Sequence, residues 1–200
     1  MAIWWKGSVI NLIGIGAVAT IPTHRKKGVA AHLLQYALDL IDQQEQASVL
    51  FTNVPAVYEK HGFKIVDQQH YRSISVTQIA PNRNEYRHEL IEVITDEHVS
   101  KMQYIYRDIY PNYDGKVVRD EEYWEAYKMW FNPYQKPKIV FCSSGEKLAG
   151  YARFETENDR LIISELCCGK DDTAVIESLF AYVADYARPV SYTHLRAHET

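Results

Sequence analysis

The chain has 200 residues, of which 46% are apolar and 24% charged, and its formal net charge is -4. This length and composition exclude a disordered chain and allow one sizeable core or two small domains. The slight acidic excess argues against nucleic acid and anionic membranes as partners, so any anion site must be local. The longest apolar run is too short to span a bilayer and no secretory leader precedes it, and we therefore expect a cytoplasmic protein.

The first 80 residues predict alternating strands and helices. A run rich in Val, Ile and Leu, typical of a buried strand, is followed by apolar residues at three- and four-residue spacing, typical of an amphipathic helix. The predicted elements are a strand over residues 8–20, a helix from Gly28 to Ile41, a strand over 48–52, a short helix reaching Gly62, and a strand over 63–66.

The polar run at residues 81–85 separates this part from a second one of different character. We predict a first domain over residues 1–80 and a second over 86–189. The second part repeats the strand-to-helix plan of the first, which suggests internal duplication. Its predicted elements are helices over 95–110 and 119–130, strands over 138–142, 148–155 and 161–168, and a final helix capped by Asp171 or Asp172.

The two ends of the chain differ from the rest. Residues 190–200 follow Pro189, carry no apolar periodicity and resemble a translated sequencing-adapter end. We predict a non-native, adapter-derived tail that lies outside the fold, with a natural flexible tail as the alternative. Because Met1 opens almost directly on strand-like sequence, we also expect the first domain to lack N-terminal elements.

A basic loop precedes the first long helix. Arg25, Lys26 and Lys27 are followed by Gly28, whose missing Cβ allows close approach to the helix N-terminus. Free N–H groups of the first turn and nearby cations together favour an anion. The alternative is an ordinary solvated basic turn, because the pattern R-x-x-G-x-A is short and common.

The order of motifs around this loop resembles the GNAT acetyltransferase core. The segment VATIPTHRKKGVAAHLL carries the R-x-x-G-x-A form of the family's phosphate signature, and VYEKHGFKIV follows it in the expected order. The resemblance implies an α/β (α+β GNAT) fold, acetyl-CoA as co-substrate and no metal. In that family the backbone of Val18, Ala19 and Thr20 would pair with the pantetheine arm. The pyrophosphate would be held by residues of the loop and first turn, namely Arg25, Lys26, Lys27, Gly28, Val29, Ala30 and Ala31.

The elements RDEEYW, GYARF and SEL in the second half give a narrower resemblance to the enhanced-intracellular-survival (Eis-like) acetyltransferases. That resemblance implies tandem GNAT-like domains with mixed sheets, a homo-oligomer, and an amine acceptor such as a lysine side chain or an aminoglycoside-like polyamine. It also implies a degenerate second domain. Asp171 and Asp172 at the start of its helix would repel a pyrophosphate, so we expect that domain to be structural.

Tyr58 is the candidate general acid. It matches the position of the family's tyrosine proton donor, and Asn53 and Val54 match positions that touch acetyl-CoA in relatives. A packing aromatic is the alternative for Tyr58. His61 and Glu59 are weaker candidates for a base, because the family's base is the terminal carboxylate of a third domain. We therefore expect the chain alone to be poorly active, and a non-catalytic CoA-binding or interaction module is the alternative function.

Several other residues are interpreted as structural. The three cysteines, Cys142, Cys167 and Cys168, lack the spacing of a zinc or redox site and are expected to be buried. Trp124 and Trp130 are expected to pack in the interior, and His24 to lie exposed beside the basic loop. No metal-ligand cluster is visible in the sequence.

Overall fold

A computed structural model of the protein describes residues 1–44, 47–66, 71–81, 86–129, 137–157, 160–188 and 194–198. The chain divides into two compact units. Unit 1 comprises Met1–Gln68 and Asn112–Arg119, and unit 2 comprises Gln69–Pro111 and Asp120–Thr200. This grouping differs from the predicted boundary at two places, since residues 69–80 belong with the second unit and residues 112–119 with the first.

Unit 1 contains a four-stranded sheet. The hairpin of β1 and β2 turns through Lys6 and Gly7, which both have positive φ, as a two-residue hairpin loop requires. β3 lies parallel to β2 on the other side, and a short segment from later in the chain pairs antiparallel with β1. The strands are β1 (Ala2–Trp5), β2 (Ser8–Gly14), β3 (Ala47–Val49) and β6 (Val117–Val118), in the order β3-β2-β1-β6.

The helices of unit 1 are α1 (Val29–Asp42) and the short α2 (Pro55–Glu59), with a 3₁₀ turn at Pro22–His24. The prediction of α1 is confirmed. Leu34 and Ile41 are its buried residues, whereas Leu33, assigned to the same apolar face, is 60% exposed. The apolar face of α1 is thus only partly covered.

Two strand predictions in unit 1 were wrong. The strand expected over residues 8–20 ends at Gly14, although Ile15 still donates a hydrogen bond to the Val49 carbonyl. The partner β3 is only three residues long, and Ala17 adopts a left-handed φ of 53°, so pairing cannot continue toward Thr20. Residues 63–66 are irregular and no strand pairs with them in the described chain, which leaves Val66 81% exposed.

Unit 2 contains a six-stranded sheet. Its centre is a run of antiparallel strands, and the hairpin of β7 and β8 turns at Gly145 and Glu146 as the sequence predicts. The sheet order is β4-β10-β9-β8-β7-β5. The strands are β4 (Tyr71–Ser75), β5 (Arg87–Ile91), β7 (Lys138–Ser144), β8 (Lys147–Glu157), β9 (Arg160–Cys168) and β10 (His194–His198).

Side chains that alternate along the strands of this sheet belong to two hydrophobic cores, one on each face. On one face Val140 and Phe154 pack with α5 (Thr173–Ala187). On the other face Phe141 and Tyr151 pack with α3 (Asp96–Tyr104), its π-helical continuation Ile105–Ile109, and α4 (Glu121–Met129). The period-2 alternation of β7 therefore explains why both faces carry helices. The predicted helices and strands of this part are confirmed within one to three residues at their ends.

The interior interpretations of the aromatic and sulfur residues are confirmed where the structure describes them. Trp124 is 4% exposed and packs edge-on against Tyr106, while Trp130 lies outside the described residues. All three cysteines are buried and free. Burial raises the pKa of the Cys142 and Cys168 thiols to about 11, so both stay protonated and unreactive.

The prediction that residues 190–200 lie outside the fold was wrong for residues 194–198. His194–His198 forms β10, which pairs antiparallel with β4 and parallel with β9. The segment has no apolar periodicity, which was the signal on which the prediction depended. Backbone hydrogen bonds to the two neighbouring strands place it in the sheet instead. An adapter origin of the tail stays a prediction.

Candidate functional site

The basic loop of unit 1 has a defined backbone path. After the 3₁₀ turn at Pro22–His24, the Arg25 side chain returns to the preceding segment, where its Nε donates to the Thr20 carbonyl at 3.1 Å. Lys26 and Gly28 both have left-handed φ values, 61° and 77°. At these two left-handed residues the backbone changes direction before α1 begins. The three cationic side chains of the loop are exposed.

Gly28 is the N-cap of α1 and supplies no side chain to cap it. The first hydrogen bond of the helix runs from the His32 N–H to the Gly28 carbonyl, at 3.0 Å. The N–H groups of Val29, Ala30 and Ala31 therefore precede the helical ladder and face outward at the positive end of the macrodipole. No acidic residue lies in this first turn. The loop thus offers an anion three backbone N–H donors and three cationic side chains.

His32, in the first turn of α1, contacts the glycine of this loop and was not singled out from the sequence. A Cβ built on Gly28 would lie 3.6 Å from Cε1 of His32, so the imidazole ring stands directly against the glycine. The signal was present in the sequence, because residues four apart on a helix share one face. His24, by contrast, is exposed as expected and its Nδ1 lies 3.0 Å from the hydroxyl of Thr23.

The predicted residues Val18, Ala19 and Thr20 lie in irregular chain between β2 and the loop, and the other predicted site residues lie after β3. Val54 donates its N–H to the Thr52 hydroxyl at 3.0 Å, and Asn53 and Val54 are exposed. Tyr58 is half-buried in α2, and its ring meets Phe63 edge-on with centroids 6.0 Å apart. Within the described residues, the hydrogen bonds of this group are local. β3 pairs with Leu12–Gly14 of β2, and among the described residues no hydrogen bond links Tyr58 to the basic loop.

Unit 2 contains a comparable strand-to-helix junction with a different chemistry. β9 leads through Gly169 and Lys170 into α5, whose N-cap is Asp172. The Asp172 carboxylate accepts a hydrogen bond from the Val175 N–H at 3.3 Å. A protein carboxylate thus occupies the position that an anionic ligand would need, in contrast to the open N-cap of α1.

Two other features are absent from the described ranges. No helix there is both long and apolar enough to cross a membrane. In that part of the chain, no three His, Cys, Asp or Glu side chains come close enough together to hold a metal ion.

Comparison with known proteins bears on both units. Residues 1–66, which include the loop, match the family described as acetyltransferase (GNAT) domain. A conserved protein of unknown function from Enterococcus faecalis superposes with a TM-score of 0.81 over 98% of this chain at 17% identity. The chain has the GNAT fold.

Two further solved structures share this fold. A GCN5-related N-acetyltransferase from Anabaena variabilis has a TM-score of 0.74 at 19% identity over 100% of this chain, and Eis1 from Mycobacterium abscessus has 0.67 at 17% over 96%. The chain spans about half the length of these structures, covering 49%, 51% and 49% of the Enterococcus, Anabaena and Mycobacterium chains. No curated protein matches it by sequence.

Proposed function

We propose that the protein is an acetyl-CoA-dependent N-acetyltransferase that transfers acetyl to a primary amine within a ternary complex. The observation that carries this proposal is the uncapped, glycine-opened N-terminus of α1 beside Arg25, Lys26 and Lys27. A helix N-terminus of this kind binds phosphate groups through free N–H donors and its dipole. Its position inside the matched residues 1–66 supports a CoA pyrophosphate as the ligand.

The residues of the loop fit this cofactor in charge and in space. The N–H groups from Lys26 to Ala31 would hold the pyrophosphate, and the three cations would neutralise its charge. The irregular segment of Val18, Ala19 and Thr20 has backbone groups outside any described strand pairing and would pair with the pantetheine arm. Asn53 and Val54 are exposed at the end of β3 and would contact the acetyl end.

Tyr58 would supply the proton for the leaving group. The amine nitrogen attacks the thioester carbonyl carbon, the C–S bond breaks, and the sulfur takes the phenolic proton while the amine loses its own proton to a base. The phenol is a weak acid, so its placement near the sulfur must provide most of the effect. Its contact with Phe63 fixes one edge of the ring and leaves the hydroxyl available.

We also propose the tandem, Eis-like arrangement, with a structural second domain. An antiparallel hairpin followed by a helix and by a strand parallel to the second hairpin strand occurs in both units, as β1-β2-α1-β3 and as β8-β9-α5-β10. The Asp172 cap supports loss of phosphate binding in the second. A lysine or aminoglycoside-like acceptor and homo-oligomer formation rest on the resemblance alone, and a cytoplasmic location rests on the apolar pattern of the sequence.

A non-catalytic CoA-binding module is the second candidate. It is favoured by the placement of Tyr58, whose described contact is packing against Phe63. The two candidates differ in turnover. Thiol release from acetyl-CoA in the presence of a panel of primary amines would establish an enzyme, and a Tyr58→Phe rate unchanged from wild type would reject the acid role.

Calorimetric titration with acetyl-CoA tests the step that both candidates share. We expect saturable binding that weakens at least about tenfold in the double variant Lys26→Ala/Lys27→Ala, because charge-assisted hydrogen bonds are lost. The matched control is Lys60→Ala/Lys64→Ala, which removes the same charge from exposed positions of unit 1 outside the loop. Absence of binding by the wild-type chain would reject both candidates.

A further inference from the structure

Unit 1 contains an apolar cleft between the end of β2 and the C-terminal half of α1. Its volume is about 390 Å³, within the size range of sites that hold small organic ligands. Apart from the polar residue Gln44, the lining consists of aliphatic residues and glycines. The lining residues are Ile13, Gly14, Ile15, Gly16, Ala37, Leu40, Ile41 and Gln44.

The cleft has room next to its two glycines. A Cβ built on Gly14 or on Gly16 would meet no atom within 4 Å, and neither glycine has the positive φ that would strain another residue. The opposite wall is formed by Ala37, a small side chain on α1. Leu40, on the same wall, is 42% exposed, so an apolar occupant would remove aliphatic surface from water.

The position of the cleft along the chain relates it to the proposed cofactor. The pyrophosphate would lie at Lys26–Ala31 and the pantetheine arm along Thr20, Ala19 and Val18. Continued in this direction, the next residues are Gly16 and Gly14, which line the cleft. Only Ala17 lies between Gly16 and Val18, and its left-handed φ of 53° keeps the two residues closer than the about 7 Å that two residues of extended chain would span. A group attached beyond the thioester sulfur would therefore reach this cleft first.

We infer that the cleft accommodates the acyl chain of an acyl-CoA, and that the protein uses straight acyl groups longer than acetyl. This inference rests on the proposed function. An acetyl group would leave most of the volume unfilled, whereas an unbranched chain of about six carbons would cover the aliphatic lining. Gln44, which follows the C-cap of α1, would meet the end of the acyl chain, and an uncharged end would be favoured there because the rest of the lining is apolar.

Calorimetric titration of the 200-residue chain with acetyl-, butyryl- and hexanoyl-CoA tests the inference. Burying a methylene group is worth a factor of about four in affinity, so hexanoyl-CoA is expected to bind at least about tenfold more tightly than acetyl-CoA. Equal or weaker binding of the longer thioesters, with acetyl-CoA still bound, would overturn the inference and leave the proposed function intact. No binding of any thioester would overturn both.

A filled cleft provides the second test. Ala37→Leu adds three carbons to the lining, and we expect it to remove the preference for hexanoyl-CoA while acetyl-CoA affinity stays within twofold. The control Gln35→Leu adds a leucine to the same helix at an exposed position outside the lining. A chain-length preference that survives Ala37→Leu, or that Gln35→Leu removes equally, would place the acyl chain elsewhere. Circular dichroism establishes that both variants are folded.

Discussion

At the scale of single residues, Gly28 has the most specific role in the proposed site. Its left-handed φ turns the loop into α1, and its missing side chain leaves the N-cap open. The space for a Cβ is ordinary, because the nearest atom would be His32 Cε1 at 3.6 Å. Backbone conformation, rather than crowding, is thus what requires glycine here.

We therefore predict that Gly28→Ala lowers the free energy of unfolding by roughly 1–2 kcal/mol, the cost of an L-residue in the left-handed region. Gly28→Asn should lose less, because asparagine tolerates this conformation. Urea denaturation of both variants measures the difference. Equal stability of Gly28→Ala and wild type would mean that the turn is not left-handed in solution.

His88 gives unit 2 a pH-dependent stability. Burial lowers its pKa against the opposing effect of its hydrogen bond with Ser178, whose hydroxyl lies 3.0 Å from Nε2, and the ring stacks on Tyr182. The unfolded chain then binds a proton more readily than the folded one. Stability is accordingly complete above the ordinary histidine range and decreases as the pH falls through it.

Replacement of His88 by Gln removes this titration and keeps a hydrogen-bonding side chain beside Ser178. We expect the unfolding free energy of His88→Gln, measured by denaturant titration between pH 7.5 and 5, to fall less steeply with pH than that of wild type, because the variant has no group there whose pKa folding lowers. Parallel profiles for the two proteins would exclude His88 as the source.

At the scale of elements, β8, β9 and α5 pack most closely around Gly150. Among the glycines of the described chain, Gly150 leaves the least space for an added Cβ. A Cβ on Gly150 would lie 2.7 Å from the Cys167 carbonyl oxygen and 3.0 Å from Val175 Cγ1. The first of these atoms is backbone and cannot rotate away. We predict that Gly150→Ala costs roughly 1–3 kcal/mol of stability by overpacking, measured by thermal or urea unfolding.

Gly16→Ala is the matched control for that substitution. It adds the same methyl group where no atom lies within 4 Å and where φ is not positive. Its unfolding free energy should stay within about 0.5 kcal/mol of wild type, as for a typical surface change. Equal effects at the two glycines would show that α5 does not pack on β8 as described.

The cap of α5 provides a second element-scale prediction. Asp172→Ala removes the acceptor of the Val175 N–H and should cost roughly 0.5–2 kcal/mol. Asp172→Asn keeps an acceptor and should recover most of the loss, whereas Asp171→Asn changes the neighbouring charge and should have little effect. Denaturant unfolding of the three variants checks the order, and an Asp172→Ala variant as stable as wild type would contradict the cap.

The helices and strands show which elements can be predicted from the sequence. α1 and α5 were predicted because their signals are local, namely apolar spacing, Gly28 at one start and Asp172 at the other. The extension of β2 to Thr20 and the strand at 63–66 failed because a strand also needs a partner, and no local pattern shows that β3 is three residues long. β10 was missed for the same reason, since β4 and β9 supply its pairing.

At the scale of the whole molecule, the same succession of hairpin, helix and parallel strand occurs twice, with opposite chemistry at the two helix starts. In unit 1 the N-cap is a glycine beside three cations, and in unit 2 it is an aspartate that fills the anion position with its own carboxylate. The motifs of the sequence predicted the loop and its contrast with Asp171 and Asp172. They did not reveal the cleft, which depends on how α1 packs against the end of β2.

Backbone amide shifts in an ¹⁵N-labelled chain titrated with acetyl-CoA test the central claim most directly. The account predicts that the N–H signals of Val29, Ala30 and Ala31 move in a saturable way, because these donors precede the helical ladder of α1, while the signal of Val175, held by Asp172, stays in place. Saturable shifts confined to the start of α5, or no shift at the start of α1, would contradict it.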